Sequence, residues 1–177
     1  MRLQLNGLTW KLSIKISYMK YIGHLKTILR HKWYVGIECF GQGLYWQGIV
    51  HDLSKFSYIE FFYSAQYWNG TSTPIGREKA EKGYSLAWLN HKAKNKHHWE
   101  YWTDFYNGVI KPVPIPDKYL REMACDMIGA SKTYAQKNWN CMMPWEYFDA
   151  RRDIFIMDNK SKATLEFYLL EFSGDNA

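Results

Sequence analysis

From Met19 onward the apolar positions recur at helical spacing. Ile22, Leu25, Ile28, Leu29 and Trp33 follow one another at three- and four-residue steps, which predicts a helix. A second helical stretch runs through Val35–Phe40, is interrupted by Gly41 and Gly43, and resumes from Leu44 to about His51. Ser57 and Glu60 form a capping-box pattern that opens a helix from Tyr58 to about Trp68. Residues 69–76 read as a loop, and a long helix is expected from about Arg77 to Trp99 or beyond. Lys111 to Asp117 carries three prolines and predicts a stiff, extended connector, because a residue before proline avoids the α region. Asp117 is placed to cap a helix over Lys118–Ala135, Pro144 to open a short one to about Arg152, and Asp158 to cap a last one to about Phe172. The expected fold is all-α, a single domain of about six or seven helices.

Residues 8–18 break this pattern. Leu8, Trp10, Leu12, Ile14, Ile16 and Tyr18 alternate strictly with Thr9, Lys11, Ser13, Lys15 and Ser17, which predicts a strand. No other segment alternates so cleanly, so the strand has no evident partner. The reading is an N-terminal appendage, residues 1–18, ahead of a helical domain, residues 19–177. Met19 is one candidate for the biological start. An unpaired edge at 1–18 is a candidate oligomer contact.

Composition narrows the class. A chain of 177 residues that is 47% hydrophobic and 23% charged is globular and large enough for one core. Nine Trp and fourteen Tyr lift aromatic content to 18%, which reads either as a bulky core or as a wall that stacks a base or sugar. Three widely spaced cysteines, Cys39, Cys125 and Cys141, fit neither a disulfide framework nor a zinc knuckle, so a reducing cytoplasmic setting is expected. No apolar run reaches membrane-spanning length and no signal peptide is evident. The net charge is +6, of which Arg2, Lys11 and Lys15 supply half. What remains is too small to argue for duplex nucleic acid. The cluster Lys92, Lys94 and Lys96, set among histidines, suits a small anionic substrate such as a phosphate.

The chemistry concentrates at His51-Asp52, where an apolar stretch ends in an imidazole and a carboxylate, with Lys55 three residues on. That pair suits a divalent transition metal (Mn, Fe, Co, Ni or Zn) or, more plainly, a buried His bonded to its neighbour. On a continuous helix His91 and His98 lie within about 20° of one another, and His97 points elsewhere. If the helix ends or bends there, His97 substitutes for His98. The pair reads as a metal or phosphate site, or as satisfied core polar groups. His24 and His31 are also seven apart. His24 sits in an apolar turn and His31 between Arg30 and Lys32, so His24 is preferred. Asp126 lies among Met123, Ala124, Cys125 and Met127, where a carboxylate is costly unless paired or metal-bound. Glu60 is left to its capping role. No Gly-rich phosphate loop, nucleophile elbow or Cys-His protease pattern occurs.

This ordered set resembles the HD-domain superfamily of metal-dependent phosphohydrolases. The strings Gly48–Phe56, His91–Trp102 and Ala124–Tyr134 are also similar to a small, uncharacterised bacterial and phage branch grouped with it. The resemblance implies a principal metal on His24, His51, Asp52 and Asp126. It implies a second on His91 with His98 or His97, bridged by Asp52. It also implies that Lys55 faces substrate phosphate. The expected function is hydrolysis of a phosphate ester, a nucleotide among the candidates, with one or two divalent metals, and with Lys55 and Asp52 in the catalytic machinery. Alternatives are an HD-like di-iron oxygenase and a non-catalytic, metal-stabilised binding module.

Overall fold

The computed structural model describes the backbone of residues 2–174 and the side chains of residues 18–172. Helix α1 spans Arg2–Gly41 and α2 Tyr45–Val50, and a 3-10 turn follows at Leu53–Phe56. Then come α3 (Tyr58–Tyr67), α4 (Pro74–Lys82), α5 (Leu86–Lys94) and a second 3-10 turn at Trp99–Trp102. Strands β1 (Thr103–Tyr106) and β2 (Val109–Pro112) lead to α6 (Asp117–Ala135), a third 3-10 turn, α7 (Met143–Asp149) and α8 (Asn159–Gly174). The protein is all-α apart from that one hairpin, and no helix among the described residues is long and apolar enough to cross a membrane.

The expected strand at 8–18 is corrected: its backbone lies within α1. A helix satisfies its own backbone hydrogen bonds, whereas a strand needs a neighbour, and among the described residues β1 and β2 pair only with each other. The boundary proposed at Met19 thus falls inside a continuous helix, and side chains before Tyr18 lie outside the described residues. The long helix expected over 77–99 is also corrected. It is two helices, broken at Gly83 (φ 80°) and ended at Lys94, with Asn95 already extended. The hairpin was not foreseen, although Asn107 and Gly108 carry the paired positive φ values, 52° and 78°, of a two-residue primed turn. β2 takes the front of the expected connector. Start signals were more legible: the Ser57 side chain accepts from Glu60 N, and Asp158 Oδ1 accepts from Lys160 N and Ser161 N.

The core lies between α1, α6, α7 and α8, built from Val35, Leu120, Ile128, Phe148, Leu165 and Leu169. α1 and α6 approach closely at Gly129, where a Cβ would stand 2.4 Å from Val35 Cγ2 and 2.9 Å from its backbone N. That contact fixes how His31, one turn before Val35, meets Asp126, one turn before Gly129. At the other end α1 runs under α3, with the Trp68 ring over Gly23 and its Nε1 donating to Thr27 Oγ1 at 3.0 Å.

Candidate metal centre

The centre forms where α1, the corner after α2, the end of α5 and the middle of α6 converge. The corner is sharp. His51 is extended (ψ 127°) and Asp52 is left-handed (φ 55°, ψ 25°), a conformation that aspartate tolerates better than most residues. The turn sends both side chains inward, and each residue is only 1% exposed. Lys32 clasps the corner from α1, its Nζ donating to Ile49 O at 2.6 Å and His51 O at 2.9 Å. These are C-terminal carbonyls of α2, where a cation is favoured.

Two groups of ligand-type atoms share Asp52. On one side Asp52 Oδ2 lies 3.1 Å from His31 Nε2 and 3.3 Å from His51 Nε2. Asp126 Oδ1 closes that group, 3.1 Å from His31 Nε2 and 3.4 Å from His51 Nε2. On the other side Asp52 Oδ1 lies 3.2 Å from His91 Nε2 and 3.3 Å from His97 Nε2. His98 completes the second group, its ligand atom within 4.8 Å of the others. Ligand atoms bound about 2.1 Å from a common ion stand roughly 3.0–3.4 Å apart, the spacing seen here.

In His51, His97 and His91 the other ring nitrogen is tied to a carboxylate. Glu122 Oε1 accepts from His51 Nδ1 at 3.0 Å and from His97 Nδ1 at 3.1 Å. Glu60 Oε2 accepts from His91 Nδ1 at 2.8 Å and from Ser54 Oγ at 2.9 Å. Asn95 braces the same corner, donating to Ser54 Oγ at 2.8 Å. With a proton fixed on Nδ1, each Nε2 presents a lone pair to the centre, as metal-binding histidines do. The Trp88 ring packs edge-on against His98 at 4.7 Å.

Buried polar atoms here lack hydrogen bonds: His51 Nε2, His97 Nε2, His98 Nε2 and Asp52 Oδ1. Such orphans are costly unless something else binds them. The proton affinities express the same demand for positive charge. Burial opposes the His51 imidazolium, but Asp52, Asp126 and Glu122 outweigh it and hold its pKa well above the ordinary histidine value. Burial and His51 oppose charge on His97, yet Asp52 and Glu122 lift it to about 9. Burial works against ionised Asp52 and Asp126, but their histidine neighbours keep both well below the usual carboxylate range. His98 moves the other way, pushed well down by burial and by His97 and His91. The donor set therefore fits a divalent cation between the two carboxylates and the imidazoles.

Lys55 Nζ reaches Asp52 Oδ2 at 2.6 Å, and its side chain remains 25% exposed. Burial disfavours its ammonium, but Asp52 and Asp126 raise its pKa above the ordinary lysine value.

Of the residues singled out from the sequence, the structure brings together His51, Asp52, Asp126, His91, His98 and Lys55. His97, expected only as a substitute for His98, joins it in the same group, because α5 ends before it and the face geometry of a continuous helix does not apply. His24 is a correction: His31 occupies the place expected for it. Seven residues carry His24 about 10 Å along α1, beyond any shared coordination sphere. His24 is nevertheless buried, with its Nδ1 unpartnered and its ring 5.4 Å from Phe61. Glu122 has no place in the sequence reading, and Glu60 is set aside there as a cap. Glu122 stands four residues before Asp126 on the same helical face, a usable signal, whereas the capping position of Glu60 concealed its buried carboxylate.

The fold and site define a class: a helical domain with a buried imidazole–carboxylate cluster able to hold metal ions. The chain belongs to the Family of unknown function (DUF5662), which it matches over residues 20–171. No curated protein and no solved structure matches it.

Proposed function

We propose that this protein is a metal-dependent phosphohydrolase of the HD-domain type, cleaving a phosphate ester of a small molecule. The observation that carries the reading is the division of Asp52, with Oδ2 toward His31 and His51 and Oδ1 toward His91 and His97. His31, His51, Asp52 and Asp126 would hold one ion, and Asp52, His91, His97 and His98 a second. Bound divalent ions of the Mn, Fe, Co, Ni or Zn class supply Lewis acidity and a water of lowered pKa.

The chain's own groups account for the rest. Glu122 and Glu60 keep protons on Nδ1, so that the Nε2 atoms stay free and oriented. Lys55, largely buried beside Asp52 but open to solvent on one side, is the cation available to phosphate oxygens as their charge grows. Its hold on Asp52 also keeps that carboxylate ionised. The buried walls exclude bulk water, which strengthens each of these interactions.

The test is metal analysis followed by a panel of nucleotides and phosphomonoesters with added Mn or Co. The expected result is metal-dependent turnover that Asp52→Ala abolishes. Lys55→Met should lower it roughly 100-fold with metal content unchanged. A metal-loaded protein inert across the panel overturns the reading, and one that consumes oxygen when iron-loaded assigns the site to oxygenase chemistry.

A further inference from the structure

One face of the molecule is more apolar than a solitary protein surface requires. α1 turns Leu29, Trp33 and Ile37 outward at four-residue steps, and α2, packed beside it, turns out Tyr45, Trp46 and Ile49. Trp33 is 69% exposed and Trp46 71%. The Phe40 ring, 5.7 Å from that of Tyr45, joins the two stripes. Lys32 lies on α1 toward α2, but its ammonium is spent on the carbonyls of Ile49 and His51. The acids of this region point away: Glu38 pairs with Lys132, and Asp52 is buried.

The exposed fractions of the six stripe residues correspond to roughly 800 Å² of surface. The largest apolar patches on monomeric proteins reach about 300–600 Å². One partner of a standard stable interface contributes about 800 Å². The face therefore has the size of one side of a stable interface, and its two tryptophans and one tyrosine are the residue types that dominate such contacts.

We infer that this α1–α2 face binds the same face of a second copy of the chain, forming a two-fold symmetric dimer. An isologous contact sets the same surface of both copies against each other, and an apolar face without a free acid can meet its own copy. With the axis perpendicular to α1 and level with the space between Trp33 and Ile37, the two α1 helices run antiparallel. Trp33 of each copy then meets Ile37 of the other, and α2 meets α2 on the same side. In that register Arg30 falls beside Phe40 of the second copy, so a guanidinium meets an aromatic ring and like charges stay apart. The inference is independent of the chemistry proposed above.

Sedimentation velocity on the full chain tests it. The expected mass is twice 21.1 kDa, with a dimer dissociation constant below about 10 μM. Trp33→Glu and Trp46→Glu, each at an exposed position, should separately give monomers with unchanged helical circular dichroism and metal content. As a second readout on the unaltered protein, amide exchange in residues 29–49 should speed up on dilution. A wild-type chain that stays monomeric up to about 100 μM overturns the inference. So does a dimer that survives both substitutions. A monomer that instead partitions onto phosphatidylglycerol–phosphatidylcholine vesicles through this face assigns it to a lipid surface.

Discussion

Glu122 Oε1 lies 3.0 Å from His51 Nδ1, and the same oxygen takes His97 Nδ1 at 3.1 Å. One carboxylate thus sets the tautomer of an imidazole in each ligand group. Glu122→Gln keeps the shape and removes the charge. It should weaken metal affinity about 10–100-fold, measured by competition with a chromophoric chelator, while helicity is retained. Affinity within about twofold of wild type would remove Glu122 from this role.

His31 and His24 separate the reading of the structure from that of the sequence. His31→Ala should cost about one bound ion per chain, because His31 Nε2 contacts both Asp52 and Asp126 at 3.1 Å. His24→Ala should leave metal content unchanged. Elemental analysis of both variants decides the matter, and the reverse outcome restores the original assignment.

The burial of His24 has a pH signature. Burial, with the Lys55 charge nearby, lowers its pKa from 6.5 to about 4. The folded state then binds this proton less readily than the unfolded one. The contribution to stability is present above pH 6.5 and is lost as pH falls toward 4, on the order of 3 kcal/mol in full. Melting temperatures of metal-free wild type and His24→Phe, compared from pH 8 to pH 4, should show the variant losing less stability on acidification. Parallel curves would mean that the His24 environment accepts the proton.

Gly129→Ala should destabilise through the α1–α6 contact. The added Cβ would stand 2.4 Å from Val35 Cγ2 and 2.9 Å from the Val35 backbone N, and the backbone cannot yield easily. A loss of about 1–3 kcal/mol is expected, or roughly 3–10 °C in melting temperature. Because the same contact aligns His31 with Asp126, metal affinity should fall in parallel. A variant as stable as wild type would show that the helices can part there.

What the sequence disclosed depended on how local the cause was. Most helix starts were legible because capping and proline act within one turn, as at Ser57 and Asp158. His51, Asp52 and Asp126 stood out because polar groups in apolar runs need partners wherever the fold puts them. The choice between His24 and His31 was not legible. The residues flanking His31 looked solvated, yet Lys32 folds back onto α2 and His31 is buried. The choice between His97 and His98 was open because their directions depend on where α5 stops, and Asn95 ends that helix with its side chain on Ser54, a distant partner. The strand over 8–18 failed for a related reason: alternation describes a surface, but pairing requires a neighbouring strand.

His31 comes from the first helix and Asp126 from the sixth, 95 residues apart in the chain, and they meet only once α1 and α6 have packed together. An ion seated between them would find no such site on a partly folded chain, so its binding energy would count wholly toward closure. At a free-ion level a thousandfold above the dissociation constant, that linkage amounts to about 4 kcal/mol. Metal supply would then govern how often the domain opens to a protease, and so the lifetime of the chain as well as its chemistry.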